Sequence, residues 1–423
     1  MFLTFTAGDA FSEERPSIVS TSESRRRIVR RERVLIAGVS TRAAAESASR
    51  FGFDVTAIDA FADIDQHPLV QALPVSPRFT ADAAAKAARG LECDAVAYLS
   101  TFENHPRAVE ALMAGRALWG NPPEVLRRVR NPIALTETLR RRGCPAPDVF
   151  RNGQTSVDAG PRDRRWLAKP RASGGGHGLR PWGGAPPPRG SYLQEWVEGT
   201  PGSLVFVAVG GHAVPLGVSR QLIGEHAFGA AGWRYCGSIL ASSSDSQFGG
   251  DEGISDALWT HARVLAEEFG LVGVNGVDFV ARCGVPYAVE VNPRWCASME
   301  LVELAYGLSV FGAHAAACRA GTLPDFDLKR ARRRRGAVGK AVVYARHDVM
   351  IGDARAWLSQ HQDGVLREIR DIPRAGQRIR TGLPVCTVFA EGRDDAACHA
   401  SLVDRAERVH AEIAQWVRTS RVL

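Results

Sequence analysis

An α/β fold built in successive units is what this 423-residue sequence predicts, and three observations carry the prediction. From Arg33 onward, short apolar runs alternate with helical stretches, the pattern of a parallel sheet with helices packed on it. A strand bearing Lys169 runs directly into a loop with three consecutive glycines. Further on, VPYAVEVNPRW (285–295) alternates at period two: Val285, Tyr287, Val289 and Val291 share one face, and Pro286, Ala288, Glu290 and Asn292 share the other. The last two observations belong to a mixed, α+β part of the chain.

Residues 1–32 are polar and without sustained periodicity, and are expected to form a disordered extension; MFLTFTAGDAFSEERP has no basic stretch before an apolar core, so it does not read as a secretory signal. RVLIAGVS (33–40), FDVTAIDAF (53–61) and CDAVAYLS (93–100) are strands, separated by the alanine-rich helix TRAAAESASRFG and followed by the helix in ENHPRAVEALMAG. Gly38 has too few glycine neighbours for a dinucleotide fingerprint. NPPEVLRRVRNPIALTETLRRRG gives two helices, the second with Asn131 as N-cap, Pro132 in its first turn and Gly143 as its stop. RRWLAKPRASGGGHGLRPW is a strand, a glycine loop and a return strand; PWGGAPPPRG is irregular. SYLQEWVEG is a strand, SLVFVAVGGHAVPLGVSRQL a hairpin through Gly210–Gly211, and GISDALWTHARVLAEEFG an amphipathic helix. After the hairpin ending in VPYAVEVNPRW, strands return in KAVVYARHDV and VCTVFAEG, and the chain closes on the helix of residues 394–417.

Composition narrows the function classes. With 45% hydrophobic and 23% charged residues, the chain reads as a soluble globular protein, and no run approaches the ~20 apolar residues that span a bilayer. Eight cysteines are scattered without a CxxC spacing, which reads as reduced thiols in a cytoplasmic setting. The net charge of +7 is concentrated in RRRIVRRER (25–33), the arginines of 127–142 and KRARRRRG (329–336). Such runs can meet phosphate backbones, but interleaved aromatics and a recognition helix are lacking; they are read as solvated surface, with nucleic-acid binding kept as the rival class.

The chemistry lies in the hairpin and the glycine loop. With Arg282-Cys283-Gly284 as a three-residue turn, Ala281 opposes Val285, Asp278 opposes Ala288, and Asp278 shares a face with Glu290 and Asn292. Two carboxylates and an amide oxygen on one face suit Mg²⁺, which keeps waters and shares positions with phosphate oxygens; otherwise the face is simply solvated. Glycine amides following Lys169 can approach phosphate oxygens while the lysine supplies charge, although the order of residues is not that of a P-loop.

On these motifs the chain resembles the ATP-grasp ligases, from about Arg33 to the C-terminus. The order is a small α/β domain, a lysine strand with a glycine-rich loop (Lys169, Ser173–Gly178), a hinge strand (QEWVEG, Glu195–Gly199) and an acid hairpin ending in Glu290-Val291-Asn292-Pro293-Arg294. DIPRAGQRIRTGLPVCTVFAEG resembles the closing domain of the carboxylase and amino-acid ligase branches. The resemblance implies an ATP-grasp fold: a disordered extension (1–32), an N-terminal parallel α/β domain (33–125), an ATP-grasp domain (126–330) with a small lid at about 145–200 and a mixed sheet carrying the metal site, and a C-terminal α/β domain (331–423). It also implies that Lys169, Ser173, Gly174, Gly175, Gly176 and His177 hold ATP phosphates. Glu195, Trp196 and Val197 would line the adenine slot, and Glu198 would meet the ribose, with Trp196 equally readable as a core aromatic. Asp278, Glu290 and Asn292 would bind Mg²⁺, with Mn²⁺ as an alternative, and Arg294 and Lys169 would be catalytic. Family members usually place a lysine where Pro132 stands here; either Arg128 or Arg130 substitutes for it or the phosphate clamp is weaker. Arg220 and Arg234 are candidates for gripping a substrate carboxylate.

The expected activity is ATP-dependent activation of a carboxylate as an acyl phosphate and its capture by an amine, in small-molecule or cofactor biosynthesis, with an amino acid such as glutamate as one substrate. A bicarbonate-using carboxylase and a non-catalytic nucleotide- or nucleic-acid-binding protein are the alternatives. The partners expected are a small acid and a small amine, not a membrane, with a dimer left open.

Overall fold

The structure, a computed structural model, describes residues 30–68, 70–74, 79–151, 164–249, 251–358 and 368–420. Most of the N-terminal extension, including the arginines of 25–29, therefore lies outside the described residues. The first unit is a five-stranded parallel sheet in the order β3-β2-β1-β4-β5: β1 (Arg33–Ala37), β2 (Asp54–Asp59), β3 (Val70–Pro74), β4 (Ala95–Tyr98) and β5 (Ala117–Trp119). Alternation along β1 sends Val34 and Ile36 to one face, with α1 (Arg42–Phe51), and Leu35 and Ala37 to the other, with α2 (Ala81–Ala87) and α3 (Pro106–Met113). Asp59 at the end of β2 shapes the turn into α1 by accepting from the Thr41 amide and hydroxyl and from the amides of Phe61 and Ala62.

Two helices, α4 (Pro123–Val129) and α5 (Pro132–Arg141), lead out of this unit. As the sequence indicates, Asn131 caps α5, its side chain accepting from Ile133 and Ala134. A four-stranded sheet follows, ordered β6-β9-β7-β8, from β6 (Val149–Arg151), β7 (Trp166–Pro170), β8 (Arg180–Pro181) and β9 (Ser191–Glu195).

The largest sheet has eight strands, each antiparallel to its neighbours, in the order β14-β13-β10-β11-β12-β15-β19-β17. It contains β10 (Thr200–Val209), β11 (His212–Ile223), β12 (Tyr235–Ala241), β13 (Gly273–Arg282), β14 (Val285–Asn292) and β15 (Ala337–Tyr344). A small pair, β16 (Val349–Met350) and β18 (Arg378–Ile379), flanks β17 (Ile369–Arg370) in the chain, and β19 (Pro384–Gly392) closes against β15. The C-terminal strands thus continue the sheet that carries the acid hairpin. Helix α6 (Asp251–Phe269) covers one face of this sheet; α7 (Met299–Tyr306) and α8 (Val310–Ala320) pack against the other and against the first unit. After the short α9 (Leu328–Ala331), the long α10 (Asp395–Ser420) covers β15 and β19.

A buried ionic network joins these layers. Arg42, 1% exposed, donates to Asp371 at 2.6 Å, to Glu300 at 2.8 Å and to Glu46 at 3.2 Å. Lys340 on β15 bonds the other Glu300 oxygen at 2.7 Å, and Arg370 on β17 bonds Glu46 at 2.7 Å. Breaking one partner of such a buried set costs several kcal/mol, roughly 3–5, because a charge is left without compensation. Excess acid sits at one edge: burial, then Asp371, Asp65 and Asp59, push the Asp63 carboxyl up to about 9.

The sign of that shift sets a test. Unfolded, Asp63 ionises near 4, whereas folded it holds its proton to about 9, so unfolding releases a proton between those values and stability falls as pH rises across the window. Melting temperature is expected to decline from pH 5 to pH 9 in the wild type and less steeply in Asp63→Asn. Equal slopes would remove Asp63 as the cause.

Candidate active site

The acid hairpin differs from its expected register, in a way that preserves its polar face. Arg282 pairs with Val285, so the turn has two residues, Cys283 and Gly284, both in the left-handed region at φ 51° and 75°. That slip alone would turn Asp278 away from Glu290. A bulge between Asp278 and Phe279 restores it: Phe279 pairs with Ala288, and Asp278 pairs directly with Glu290. Strict alternation of β14 therefore breaks at Val289, which lines a cavity, while Ala288 packs in the core with Phe279 and Val291.

That cavity, about 450 Å³, lies between the four-stranded sheet and the hairpin floor. It brings together Lys169, Gly175, Gly176, Glu195, Trp196, Val197, Glu198, Asp278, Glu290, Asn292 and Arg294, all singled out from sequence. The floor is a polar row crossing the sheet. Asp278 accepts from Gln221 and from the Asn292 amide, each at 2.8 Å, and bonds the Ser203 hydroxyl. Burial and the neighbouring Glu290 charge push the Asp278 carboxyl up to about 6. Burial also opposes ionisation of Glu290, but Arg130 and Lys169 outweigh it and hold that carboxyl below the usual range. Arg130 meets Glu290 at 2.6 Å. Of the two arginines expected to compensate for Pro132, Arg130 reaches the site, while Arg128 packs on Phe269 and bonds the Glu268 carbonyl.

The catalytic candidates are held firmly. Lys169, 6% exposed, donates to Gln194 at 3.0 Å, and Gln194 in turn donates to the Val289 carbonyl at 3.1 Å. Arg294 makes two bonds to one oxygen of the buried Glu103, at 2.8 and 3.0 Å, and a third to the Asn292 oxygen at 3.0 Å. Next to Glu103, Asn104 accepts twice from Arg130, at 2.8 and 3.2 Å. One segment of the first unit thus fixes both site arginines.

The opposite wall is aromatic. Trp196 and Trp233 meet edge to face at 5.4 Å, Arg165 lies 3.7 Å over the Trp196 ring, and Leu167, Ile223, Phe279 and Val280 complete a flat apolar slot. Glu195 borders the slot, although its carboxylate accepts from the Asp148 amide at 3.2 Å, and Glu198 pairs with Arg165.

Other sequence candidates stand elsewhere. Arg220 does not face the cavity: it forms a two-pronged bond with Asp395 at the start of α10, at 2.7–3.1 Å. Arg234 bonds the Gly382 carbonyl and stacks on Tyr344. Both are committed to joining β11 and the 233–235 segment to the C-terminal elements, which a linear sequence does not reveal. Ser173 lines a narrow cleft with Arg130, Pro132 and Glu290 on the far side of Lys169. Gly174 and His177 do not line the cavity; His177 is exposed, and partial burial followed by Arg234 lowers its basicity. Gln194, Ser203, Gln221, Trp233, Tyr235 and Ser238 line the cavity without having been singled out; Glu103 and Asn104 lie behind it. The hint for Gln194 was its place beside Glu195 in the hinge strand, and for Gln221 its alternation with Ser219 on β11.

Mg²⁺ fits this donor set. Asp278 and Glu290 are oxygen ligands on adjacent strands, Asp278 lacks a full counter-charge, and Asn292 adds an amide oxygen. Among the described residues no group of three or more His, Cys, Asp or Glu is placed to hold a metal, so the remaining positions would be water or phosphate oxygen.

With the geometry in place, the comparisons converge. Residues 129–298 match the family model described as an ATP-grasp domain. That stretch is therefore similar to an ATP-grasp domain. No curated protein matches it. Among solved structures it is similar to an L-amino acid ligase from Bacillus licheniformis, at 16% identity and TM-score 0.63 over 89% of this chain and 98% of that one. It is similar also to a biotin carboxylase from Campylobacter jejuni, at 14% identity and TM-score 0.65 over 88% and 89%. A third is the N5-carboxyaminoimidazole ribonucleotide synthetase from Thermotoga maritima, at 16% identity and TM-score 0.61 over 90% and 98%. At these identities the likeness is one of fold.

The glycine loop offers a sharp contrast between neighbours. Gly175 accepts from the Tyr235 amide at 3.2 Å, and Gly176 sits at φ 78° so close to the Trp233 carbonyl that a Cβ would lie 1.8 Å from it. A Cβ on Gly174 meets nothing within 4 Å. Gly176→Ala is expected to lift the loop and speed amide exchange over residues 173–178, while Gly174→Ala leaves it unchanged. Identical exchange in the two variants would show that the loop is not anchored through Gly176.

Proposed function

We propose that the chain is an ATP- and Mg²⁺-dependent ligase that activates a carboxylate as an acyl phosphate and joins it to an amine. One observation carries the reading: a single cavity sets a buried lysine and a clamped arginine beside a pair of facing carboxylates, with an aromatic slot opposite. On the cavity floor the Asp278 and Glu290 carboxylates face each other, Glu290 beside Arg130 and Lys169 and Asp278 served by neutral amides. A triphosphate would be repelled from such a lining unless a divalent cation came with it, which is the reason for the Mg²⁺ requirement.

The residues divide the work. Asp278, Glu290 and the Asn292 oxygen would hold Mg²⁺, which would supply charge neutralisation to the phosphates. Trp196, Trp233 and the apolar slot hold the base, and Gly175 and Gly176 bring backbone close to the phosphate chain. Lys169 and Arg294 neutralise charge on the phosphoryl group in transit to the substrate carboxylate, and Arg294 then faces the acyl phosphate that the amine attacks, releasing phosphate. The protein needs no nucleophile of its own: the Cys296 thiol in the cavity wall is pushed up to about 12 by burial and stays protonated. Arg220 and Arg234 lie outside the lining, so Arg294, held in place by Glu103, is the lining arginine that would meet a substrate carboxylate, and Ser238, Tyr235 and Ser298 add hydroxyls to the same cavity. We place the reaction in small-molecule biosynthesis in the cytoplasm, a setting that suits eight unpaired cysteines.

ADP formation across a panel of amino acids and small acids tests this. Stimulation by an acid together with an amine is expected; stimulation by bicarbonate alone would favour carboxylation instead. Glu290→Gln is expected to cut turnover at least about a thousandfold with the fold retained. Wild-type turnover in that variant would refute the assignment.

A further inference from the structure

The run KRARRRRG, which the nucleotide cavity does not absorb, folds around a second and separate hollow. It begins within α9 and, with the end of α7 and strands β12, β15 and β19, encloses a notch of about 120 Å³. Its wall includes Tyr306, Arg332, Arg334 and Arg335, with Glu391 as its one carboxylate. Arg334 and Arg335 thus face a space able to hold a phosphoryl group and a few waters, a water's share of liquid being about 30 Å³.

Two details mark the notch as more than a solvated face. Among the described residues, the buried Tyr306 hydroxyl has no hydrogen-bond partner, a condition that costs about 1–3 kcal/mol if left unrelieved. Arg332 and Arg334 act on that hydroxyl electrostatically, against the burial that pushes it up to about 12. Arg335 meets no described carboxylate within ion-pair distance, Glu391 included, whereas the arginines at 127, 140 and 142 are all paired with acids. Arg334 bonds the Ala305 carbonyl, closing the C-terminal end of α7, and Arg332, 3% exposed, donates to Ser255 at 2.9 Å and stiffens the wall.

We propose that this notch binds a phosphate-bearing small molecule through Arg334, Arg335 and the Tyr306 hydroxyl. A phosphate anion accepts from the forked guanidinium donors of Arg334 and Arg335 and gives the phenol an acceptor. Its position gives it reach. Helix α7 spans eight residues, about 12 Å, from Ser298 at the nucleotide cavity to Tyr306 at the notch, and carries Glu300 of the buried network on its first turn. Occupancy is therefore expected to stiffen α7. Binding itself does not rest on the ligase reading.

Calorimetric titration of the full-length protein with inorganic phosphate, at fixed ionic strength in chloride, tests the site. One saturable equivalent is expected, weakened about tenfold or more by Arg334→Ala/Arg335→Ala and several-fold by the conservative Tyr306→Phe, with circular dichroism confirming the folds. Arg294→Ala, in the large cavity, is expected to leave that equivalent intact, and amide exchange in α7 is expected to slow with phosphate. Absence of saturable binding, or binding lost in Arg294→Ala but not in the notch variants, would overturn the proposal. Tight duplex DNA binding that depends on Arg334 and Arg335, without phosphate binding, would overturn it in favour of a nucleic-acid contact.

Discussion

Asp278 and Glu290 face each other across one rung of a hairpin, and two carboxylates so placed cannot both keep their charge without cations nearby. Much of the site follows from that constraint. Glu290 keeps its charge because Arg130 and Lys169 stand beside it; Asp278, served by the amides of Gln221 and Asn292, is pushed toward protonation. The cations that face this pair are themselves tied elsewhere, Arg294 to Glu103 and Arg130 to Asn104. The hairpin is thus completed by a short segment of the parallel α/β unit, far away in sequence. An arrangement of this kind is preorganised, since its charges are fixed before any ligand arrives.

A second layer of charge sets the frame. Arg42, Glu300, Lys340, Asp371, Glu46 and Arg370 link the first helix, the helix after the acid hairpin and two C-terminal strands. Apolar residues of similar volume would often stabilise a core as well. What the network adds is position: the start of α7, beside Ser298 in the cavity, is held to elements from both ends of the described chain. The continuation of the central sheet into β15, β19 and β17 acts in the same direction, so the C-terminal strands and the acid hairpin belong to one hydrogen-bonded surface.

Local pattern made a large part of this legible. Lys169, the glycines after it, the hinge residues and the acid face all announce themselves by residue type and spacing. Strands β3, β5 and β6 do not, being three to five residues long and without alternation to separate them from loop. The hairpin shows where local reasoning stops: a cysteine in the left-handed region and a bulge at Val289 are decided by the packing of Ala288 and Phe279, and their effects on the face of Asp278 cancel. Arg220 and Arg234 were misplaced for a related cause. Their partners, Asp395 and Gly382, lie 175 and 148 residues further along, and an arginine's destination depends on which carboxylate or carbonyl the fold brings near it. Glu103 was invisible because nothing in FENHP distinguishes a buried clamp from a surface loop.

The proposed function rests on the facing carboxylates serving as a metal–nucleotide floor. Anomalous diffraction from crystals grown with Mn²⁺ and a non-hydrolysable ATP analogue addresses it directly. A Mn²⁺ peak is expected within about 2.0–2.5 Å of oxygens from both Asp278 and Glu290, with the base between Trp196 and the apolar slot. A metal and nucleotide found together at any other place on the chain would contradict it.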